Sequence, residues 1–158
     1  MLELPKSIKM VITDFDGVVT DNCVYIDNNF NMTRKLNFKD IMAFAILKRN
    51  NIKIGIISGE ENSAIKILSE KFQIDEVHQK IRIKIDILKD IISKYNLSQD
   101  EYVYIGDDIN DIECLNYAKY KITVPHAIQK VKKIKNIQIT KNNAGEGAFR
   151  EVADCLTD

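Results

Sequence analysis

The stretch that decides the fold is Thr13-Asp14-Phe15-Asp16-Gly17-Val18-Val19-Thr20-Asp21, which continues the apolar run from Met10 to Thr13. A short, continuous run of this kind predicts a buried strand. Two carboxylates at the end of a buried strand repel each other and lose hydration, so a purely structural role is unfavourable unless a cation or a proton lies between them. The segment therefore predicts both a strand end and a charged site.

Apolar runs of similar length recur along the chain and alternate with helical patterns. The other runs are Ile54 to Ile57, Tyr102 to Ile105, Ile122 to Val124 and Ile137 to Thr140. Helical spacing is seen in Ile65, Leu68 and Phe72, in Ile81, Ile85, Leu88 and Ile92, and in Phe149, Val152, Cys155 and Leu156 of a last helix that begins at Gly147. Strands alternating with helices predict an α/β fold with a Rossmann-like, doubly wound parallel sheet, which binds ligands beyond the carboxyl ends of its strands.

One segment interrupts this alternation. Val24-Tyr25-Ile26 and the stretch Met32 to Leu36 flank the turn-forming Asp27-Asn28-Asn29, a pattern that predicts a β-hairpin projecting from the sheet. The chain has 158 residues and shows no repeat or linker. Because natural domains run to roughly 100–200 residues, we expect a single domain over residues 1–158.

The composition excludes several classes of protein. Lys and Arg total 23, as do Asp and Glu, so the formal net charge is zero, whereas a nucleic-acid or polybasic membrane binder carries an excess of cations. No apolar run approaches the ~18 residues of a membrane span, and we expect neither a signal peptide nor a membrane partner. Three widely spaced cysteines with no CxxC pair indicate reduced thiols and a cytoplasmic location.

Polar residues also follow two other predicted strands. Ser58-Gly59 can hold an anion, and Gly106-Asp107-Asp108-Ile109-Asn110-Asp111 forms a second acidic cluster. Clustered carboxylates with no histidine nearby favour Mg²⁺ over zinc. An Mg²⁺ beside an anion site suits phosphoryl transfer, whereas the absence of GxxxxGK, and of GxGxxG after a strand, argues against a kinase or a dehydrogenase.

These motifs resemble those of a known family. Asp14-Phe15-Asp16-Gly17-Val18-Val19-Thr20 resembles the DxDGxxT signature of the haloacid dehalogenase (HAD) superfamily, and Ser58-Gly59, Lys84 and Gly106 to Asp111 resemble its second, third and fourth motifs. With the hairpin, no cap domain and the tail Ala144 to Val152, the chain resembles the capless 3-deoxy-ulosonate phosphate phosphatases. That group acts on 3-deoxy-D-manno-octulosonate 8-phosphate (KDO 8-phosphate) or 2-keto-3-deoxynononate 9-phosphate. The resemblance implies an HAD-like fold and an Mg²⁺-dependent phosphatase.

The resemblance also implies catalytic and metal-binding roles. Asp14 would attack phosphorus and become an aspartyl phosphate, while Asp16 would protonate the leaving sugar oxygen and then activate water. Mg²⁺ would be held by the carboxylates of Asp14 and Asp107 and by the backbone carbonyl of Asp16. Asp108 and Asp111 would support these ligands through hydrogen bonds.

The phosphoryl oxygens would be bound by Ser58, the Gly59 amide and Lys84, where charge balance is the main catalytic term. From spacing alone, Lys84 fits a solvated helix face at least as well, because Arg82 and Lys89 lie in the same helix. Only the match to the third motif favours a functional role for this lysine.

Substrate contacts are implied at Asn37, Lys39, Asp40, Glu60, Lys71 and Arg150. Ala45, Glu60 and Leu68 stand where KDO 8-phosphate enzymes usually carry arginine in our alignment. Glu60 after Ser58-Gly59, with Lys71 one helix later, looks instead like the nononate branch. We therefore expect a nonulosonate 9-phosphate as the favoured substrate and KDO 8-phosphate as the alternative. A simple preference of Glu60 for a helix N-terminus would explain the same residue.

The resemblance further implies a homotetramer in which the hairpin and the tail complete a neighbouring site. Arg150 would approach the substrate from the tail, although an ordinary surface arginine would look the same. Related capless modules in some sugar-nucleotide synthetases serve oligomerisation, so a non-catalytic module is an alternative function, as is a broad sugar-phosphate or nucleotide phosphatase. His78 and His126 lack a partner base and are interpreted as structural or solvated.

Overall fold

The computed structural model describes residues 1–157. The strands are β1 (Met10–Thr13), β2 (Tyr25–Ile26), β3 (Met32–Thr33), β4 (Lys53–Ile57), β5 (Glu76–His78), β6 (Tyr102–Ile105), β7 (Tyr120–Thr123) and β8 (Gln138–Ile139). The α-helices are α1 (Phe38–Arg49), α2 (Ser63–Phe72), α3 (Lys84–Lys94), α4 (Ile112–Tyr117), α5 (Gln129–Lys132) and α6 (Ala148–Thr157). Six strands form one parallel sheet in the order β5-β4-β1-β6-β7-β8. The predicted doubly wound α/β fold is confirmed.

The sheet is buried on both faces. Successive residues of a strand point to opposite faces, and in β1 Val11 packs in the layer of α1, α2 and α6, whereas Met10 and Ile12 pack in the layer of α3, α4 and α5. In the first layer the Phe44 ring lies 4.7 Å, between centroids, from that of Phe149. Burial on both faces explains why the strands have continuous apolar sequences instead of alternating ones.

The order of the strands creates a crevice at one edge of the sheet. From β1 the chain leads to β4 on one side, and it later returns to β6 on the other side of β1. The loops that follow β1 and β6 then diverge above the same edge, which is where open α/β sheets bind ligands. The Asp14 amide donates to the Ile105 carbonyl at 2.9 Å, so the first two acidic motifs start side by side.

The hairpin is present between β1 and α1, and among residues 1–157 no cap domain is inserted there. Its strands are shorter than predicted, because Asp27 organises a longer loop: its carboxylate accepts from the amides of Asn29 and Asn31 at 2.8 and 2.9 Å. Beyond β3, Leu36 pairs with Thr20 in an isolated bridge. Within the described part of the chain, no helix is both long and apolar enough to cross a membrane.

Asp40 ties the first helix to the last one. Its side chain is fully buried, and its oxygens accept from the amides of Gly147 at 2.9 Å and Arg150 at 3.1 Å. Burial raises the pKa of this carboxyl although the hydrogen bonds oppose the rise. Because the first amides of a helix have no partner within it, Asp40 acts as a remote cap for α6.

We expect Asp40→Ala to lower the free energy of unfolding by about 2 kcal/mol, because it leaves buried helix amides without acceptors. Asp154→Ala is the matched control, since Asp154 only forms a partly exposed pair with Arg150 one helical turn away; it should cost less than about 0.5 kcal/mol. Chemical denaturation at equal protein concentration measures both values. Equal small losses would show that Asp40 does not anchor the tail.

Candidate active site

Three buried carboxylates meet at the carboxyl edge of the sheet. Asp14 follows β1, Asp107 follows β6, and Asp111 closes the short 3-10 helix Ile109–Asp111. One oxygen of each lies within 4.8 Å of the others. Like charges at this separation, taken out of water, strongly disfavour the ionised state. The arrangement is therefore incomplete without positive charge.

Lys84 supplies one positive charge. Its Nζ lies 2.7 Å from Asp14 Oδ2 and 2.9 Å from Asp111 Oδ1, and its side chain is 0% exposed. Burial alone would lower the pKa of Lys84, but the charges of Asp111 and Asp14 outweigh it and raise the pKa. Arg82 and Lys89 are exposed, so Lys84 does not belong to the solvated face that spacing alone would have allowed.

Asp111 has a supporting position. Its Oδ1 accepts from the Tyr104 hydroxyl at 2.7 Å as well as from Lys84, and its Oδ2 accepts from the amides of Asp107 and Asp108 at 3.1 and 3.2 Å. A Cβ at position 106 would lie 2.4 Å from Asp111 Cγ, which explains the glycine there. Asp111 therefore orients the loop and the lysine through its hydrogen bonds; its supporting role toward a metal ion stays a prediction.

The Asp107 carboxylate differs from that of Asp111 in its hydrogen bonds. Its Oδ1 is buried and finds no hydrogen-bond partner among residues 1–157. Burial, followed by the charges of Asp111 and Asp108, raises the pKa of Asp107 to about 7. Gly17 (φ +91°) lets the chain pass close to this carboxylate, because a Cβ there would lie 2.1 Å from Asp107 Oδ2. A buried acceptor with no donor needs a cation, so the chemistry of the cluster fits Mg²⁺.

Asp14, which directly follows β1, is the third carboxylate of the cluster. Its Oδ1 accepts from the Phe15 amide at 2.6 Å, and its Oδ2 faces Lys84. Burial and then the Asp111 charge raise the pKa of Asp14 well above its ordinary value, although Lys84 opposes this. The carboxylates of Asp14 and Asp107 lie close enough together to hold Mg²⁺, and a contribution from the carbonyl of Asp16 stays a prediction.

The environment of Asp16 includes a residue that the sequence did not single out. Asp16 Oδ1 accepts from Thr20 Oγ1 at 2.9 Å, and Arg34 Nε lies 2.9 and 3.1 Å from the two carboxylate oxygens. Arg34 is 18 residues away in the sequence, beyond the second strand of the hairpin, where nothing in the local pattern marks it. The sequence also did not single out Tyr104 as a residue of the site, although its burial follows from its position in β6.

The predicted anion-binding residues lie at the carboxyl end of β4. Ser58 donates its amide to the His78 carbonyl at 2.8 Å, and its Oγ donates to the Glu60 carbonyl at 2.8 Å. Gly59 is next to the acidic loop, because a Cβ there would lie 3.4 Å from Asn110 Nδ2. Asn110 was part of the quoted fourth motif but was not assigned a role. Ser58 and Gly59 are thus held beside the acidic loop.

The predicted substrate-binding residues are divided between two clefts. Glu60 lines a cleft of about 460 Å³ between the hairpin and the start of α2, which Arg34 also lines. Lys39 and Arg150 line another cleft of about 370 Å³ beside the tail, where Arg150 Nε is 2.6 Å from Asp154 Oδ1. The structure brings Lys39 and Arg150 together, but not with Glu60.

Three further predictions of substrate contact fall elsewhere in the chain. The carboxylate of Asp40 is buried and caps α6, which gives it a structural role within one chain, and a substrate contact by Asp40 stays a prediction. Asn37 caps α1 by accepting from the Lys39 amide at 2.9 Å. Lys71 is exposed in the last turn of α2, with its Nζ 5.3 Å from the centroid of the Phe72 ring. Substrate contacts by Asn37 and Lys71 stay predictions.

The two histidines lie in different parts of the structure. His78 Nε2 lies 2.8 Å from Glu76 Oε2, at the edge of the sheet. His126 is exposed and lines a cavity of about 210 Å³ together with Gly17 and Asp107. His126 is therefore solvated, as interpreted from the sequence, but it lies closer to the acidic cluster than the sequence indicated.

The fold and the acidic edge define a class of protein. Residues 11–152 match the family of haloacid dehalogenase-like hydrolases. The chain therefore belongs to this family. The resemblance inferred from the four motifs is confirmed, and so is the prediction of an enzyme, a phosphoric monoester hydrolase.

Within that family the chain is similar to KDO 8-phosphate phosphatases. It is 24% identical over 151 residues to 3-deoxy-D-manno-octulosonate 8-phosphate phosphatase KdsC of Escherichia coli K12, covering 96% of this chain and 80% of that protein. The enzyme of that name from Moraxella catarrhalis, solved with magnesium ion, phosphate ion and KDO, has a TM-score of 0.89 and 25% identity, covering 96% of this chain and 86% of that one. A putative HAD family hydrolase from Streptomyces avermitilis has a TM-score of 0.90 and 27% identity, with coverages of 99% and 88%. The Moraxella enzyme was solved with a magnesium ion, and the acidic cluster of this chain offers carboxylates of the kind that such an ion requires.

Asp107→Asn tests the cation site. A folded-state pKa of about 7, against an ordinary value of 3.8, means that stability is lost as the pH rises between those values. In Mg²⁺-free buffer at a pH above this range, we expect Asp107→Asn to raise the free energy of unfolding by about 1–3 kcal/mol. Added Mg²⁺ should raise the melting temperature of the wild type but not of this variant.

The control for this prediction is Asp108→Asn, since Asp108 is exposed and caps the 3-10 helix by accepting from the Ile109 amide at 2.6 Å, a role that Asn can also fill. This variant should keep the response to Mg²⁺. A full Mg²⁺-dependent shift in Asp107→Asn would contradict the assignment of Asp107 as a ligand.

Proposed function

We propose that residues 1–158 act as one HAD-like domain that hydrolyses the terminal phosphate of a phosphorylated 3-deoxy-ulosonic acid with Mg²⁺. The observation that carries the proposal is the buried Asp14–Asp107 pair, with Asp16 on the loop beside it and an Asp107 oxygen that has no hydrogen-bond partner among residues 1–157. Such a site combines a nucleophile, a place for a hard cation and a proton carrier. The named substrates of the similar KdsC enzymes support a sugar-acid phosphate.

The reaction has two steps in this proposal. An oxygen of Asp14 attacks phosphorus, the bond from phosphorus to the sugar oxygen breaks, and Asp16 gives a proton to that oxygen. Water then loses a proton to Asp16 and attacks the aspartyl phosphate, which releases inorganic phosphate and restores Asp14. The leaving oxygen and the attacking water occupy the same side of the phosphorus atom in this proposal. One orientation of the Asp16 side chain therefore serves both steps.

Charge balance at phosphorus comes from several groups. When bound, Mg²⁺ supplies positive charge to the phosphoryl oxygens and to Asp14. Lys84 Nζ, already 2.7 Å from Asp14, offers further donors on the same side. In this proposal Ser58 and the Gly59 amide, at the end of β4, bind phosphoryl oxygens. These donors are held in a site of low exposure, where electrostatic stabilisation is strong.

The sugar part of the substrate is proposed to occupy the cleft between the hairpin and α2. Glu60 and Glu61 both line this cleft, and carboxylates favour hydroxyl and amide donors over a second carboxylate. This observation supports a nonulosonate 9-phosphate, a longer polyol, as the favoured substrate. The similarity to the KdsC enzymes supports KDO 8-phosphate as the alternative.

A phosphate-release assay with Mg²⁺ tests the function. The panel contains KDO 8-phosphate, nonulosonate 9-phosphates, hexose phosphates and nucleotides, and we expect the highest kcat/KM with a sugar-acid phosphate. Asp14→Asn should lower kcat at least about a thousandfold, because it removes the nucleophile. Asp100→Asn is the control, since Asp100 pairs with Lys119 near the opposite end of β6 and should leave kcat unchanged.

The results separate the alternative functions. Comparable turnover of hexose phosphates and nucleotides would indicate a broad phosphatase. If no ester releases phosphate, or if Asp14→Asn keeps full activity, the catalytic proposal is refuted and a non-catalytic oligomerisation module is favoured.

We also propose a cytoplasmic homotetramer. The hairpin segment exposes five large apolar side chains to solvent in the single chain, Val24, Tyr25, Ile26, Phe30 and Met32. An exposed apolar patch on a hairpin is typical of a protein–protein contact. Packing of this patch against further copies would cover it and would enclose the otherwise open cleft.

Ile26→Lys combined with Phe30→Lys tests the assembly. We expect the double variant to have a smaller mass in solution than the wild type, because burying two charges in an apolar contact is unfavourable. Light scattering after size-exclusion chromatography measures the mass. Ile139→Lys, an equally apolar-to-charged change on the edge strand β8, should leave the mass unchanged; a monomeric wild type would refute the proposal.

A further inference from the structure

Arg34 is buried although it lies on an exposed segment. Its neighbours Thr33 and Lys35 are exposed, whereas the Arg34 side chain is only 8% exposed. Its Nε contacts both oxygens of Asp16, at 2.9 and 3.1 Å. Taking a guanidinium out of water is costly unless a carboxylate compensates it. The chain therefore directs this one side chain inward, on to the residue to which we assign proton transfer.

The pair fixes the orientation of Asp16. Thr20 Oγ1 donates to the same Oδ1 at 2.9 Å, so Asp16 is held from two directions, by its own loop and by the hairpin segment. An Asp side chain at this level of exposure, 21%, would otherwise sample several rotamers. Arg34 also lines the cleft of about 460 Å³ in which we place the sugar. The held carboxyl is therefore next to the side on which the leaving group lies.

We propose that Arg34 is a positioning residue for the reaction, which holds Asp16 in the orientation needed to reach the leaving oxygen and the attacking water. The inference rests on the proposed function, because it assigns proton transfer to Asp16. Arg34 acts through Asp16 and takes no part in the chemistry at phosphorus. A residue that only anchored the hairpin would support all substrates equally, whereas a residue that positions the proton donor matters most when the leaving group needs a proton.

The test compares the kcat/KM values of two esters, because kcat/KM reports the first step, in which the leaving group departs. A sugar alkoxide needs a proton as it leaves, whereas the p-nitrophenolate ion does not. With KDO 8-phosphate, or a nonulosonate 9-phosphate if that is the better substrate, we expect Arg34→Gln to lower kcat/KM by about a hundredfold. With p-nitrophenyl phosphate the loss should be less than about threefold, because proton donation is not required.

Two further variants separate positioning from structure. Arg34→Lys should recover part of the loss, since an ammonium can approach Asp16 but lacks the planar guanidinium group. Arg34→Gln added to Asp16→Asn should cause no further loss on the sugar phosphate, because the two residues act as a unit. Lys35→Gln is the matched control, as Lys35 is exposed and pairs with Asp21; it should leave both values unchanged.

Each outcome decides the inference. Equal losses on both esters, a full additional loss in the Asp16→Asn background, or an unchanged or increased kcat/KM in Arg34→Gln would overturn it. If Arg34→Gln does not fold, as judged by circular dichroism, the two-ester comparison is made with Arg34→Lys under the same criteria. A wild type that hydrolyses neither ester would refute the proposed function itself, which is a different result from an active wild type with an indifferent Arg34.

Discussion

Three buried carboxylates facing one buried ammonium group are the constraint on which the rest of this structure depends. Asp14, Asp107 and Asp111 share the carboxyl edge of the sheet with Lys84 as the cation in contact with two of them. Burial of like charges is unfavourable, so the surrounding chain must hold the groups in place. Backbone amides and the Tyr104 hydroxyl satisfy Asp111, whereas one oxygen of Asp107 has no donor within the described part of the chain. The uncompensated charge is the feature that a divalent cation would use.

The parallel sheet offsets the free-energy cost of burying these charges. Both of its faces are covered by apolar layers, and burial of apolar side chains is the dominant favourable term in folding. The charged residues of the site lie at one edge of the sheet, after β1 and β6 and at the start of α3, and glycines at positions 17 and 106 allow close approach of carboxylates. Burial of the apolar core thus offsets the unfavourable electrostatics of the site.

The positions of the elements were largely predictable because they depend on local patterns. Continuous apolar runs identified β1, β4 and β6 in nearly their observed bounds, since strands covered on both faces need such runs. The short strands were less predictable: β8 spans Gln138–Ile139, and the hairpin loop is longer than the turn expected from Asp27-Asn28-Asn29. In these places few side chains are buried, and hydrogen bonds of the loop, such as those of Asp27, determine where pairing stops.

The motif residues were predictable for the same reason, and their partners were not. The sequence by itself determined a doubly wound sheet, an acidic edge after β1 and β6, and a Ser-Gly pair after β4, because each follows from residue types within one short segment. Only the tertiary structure decided that Lys84 is buried between two carboxylates, that Arg34 holds Asp16, and that Asp40 caps a helix 107 residues away. These pairings join segments that are distant in sequence, and packing of the layers selects which polar side chains lose water and must find each other.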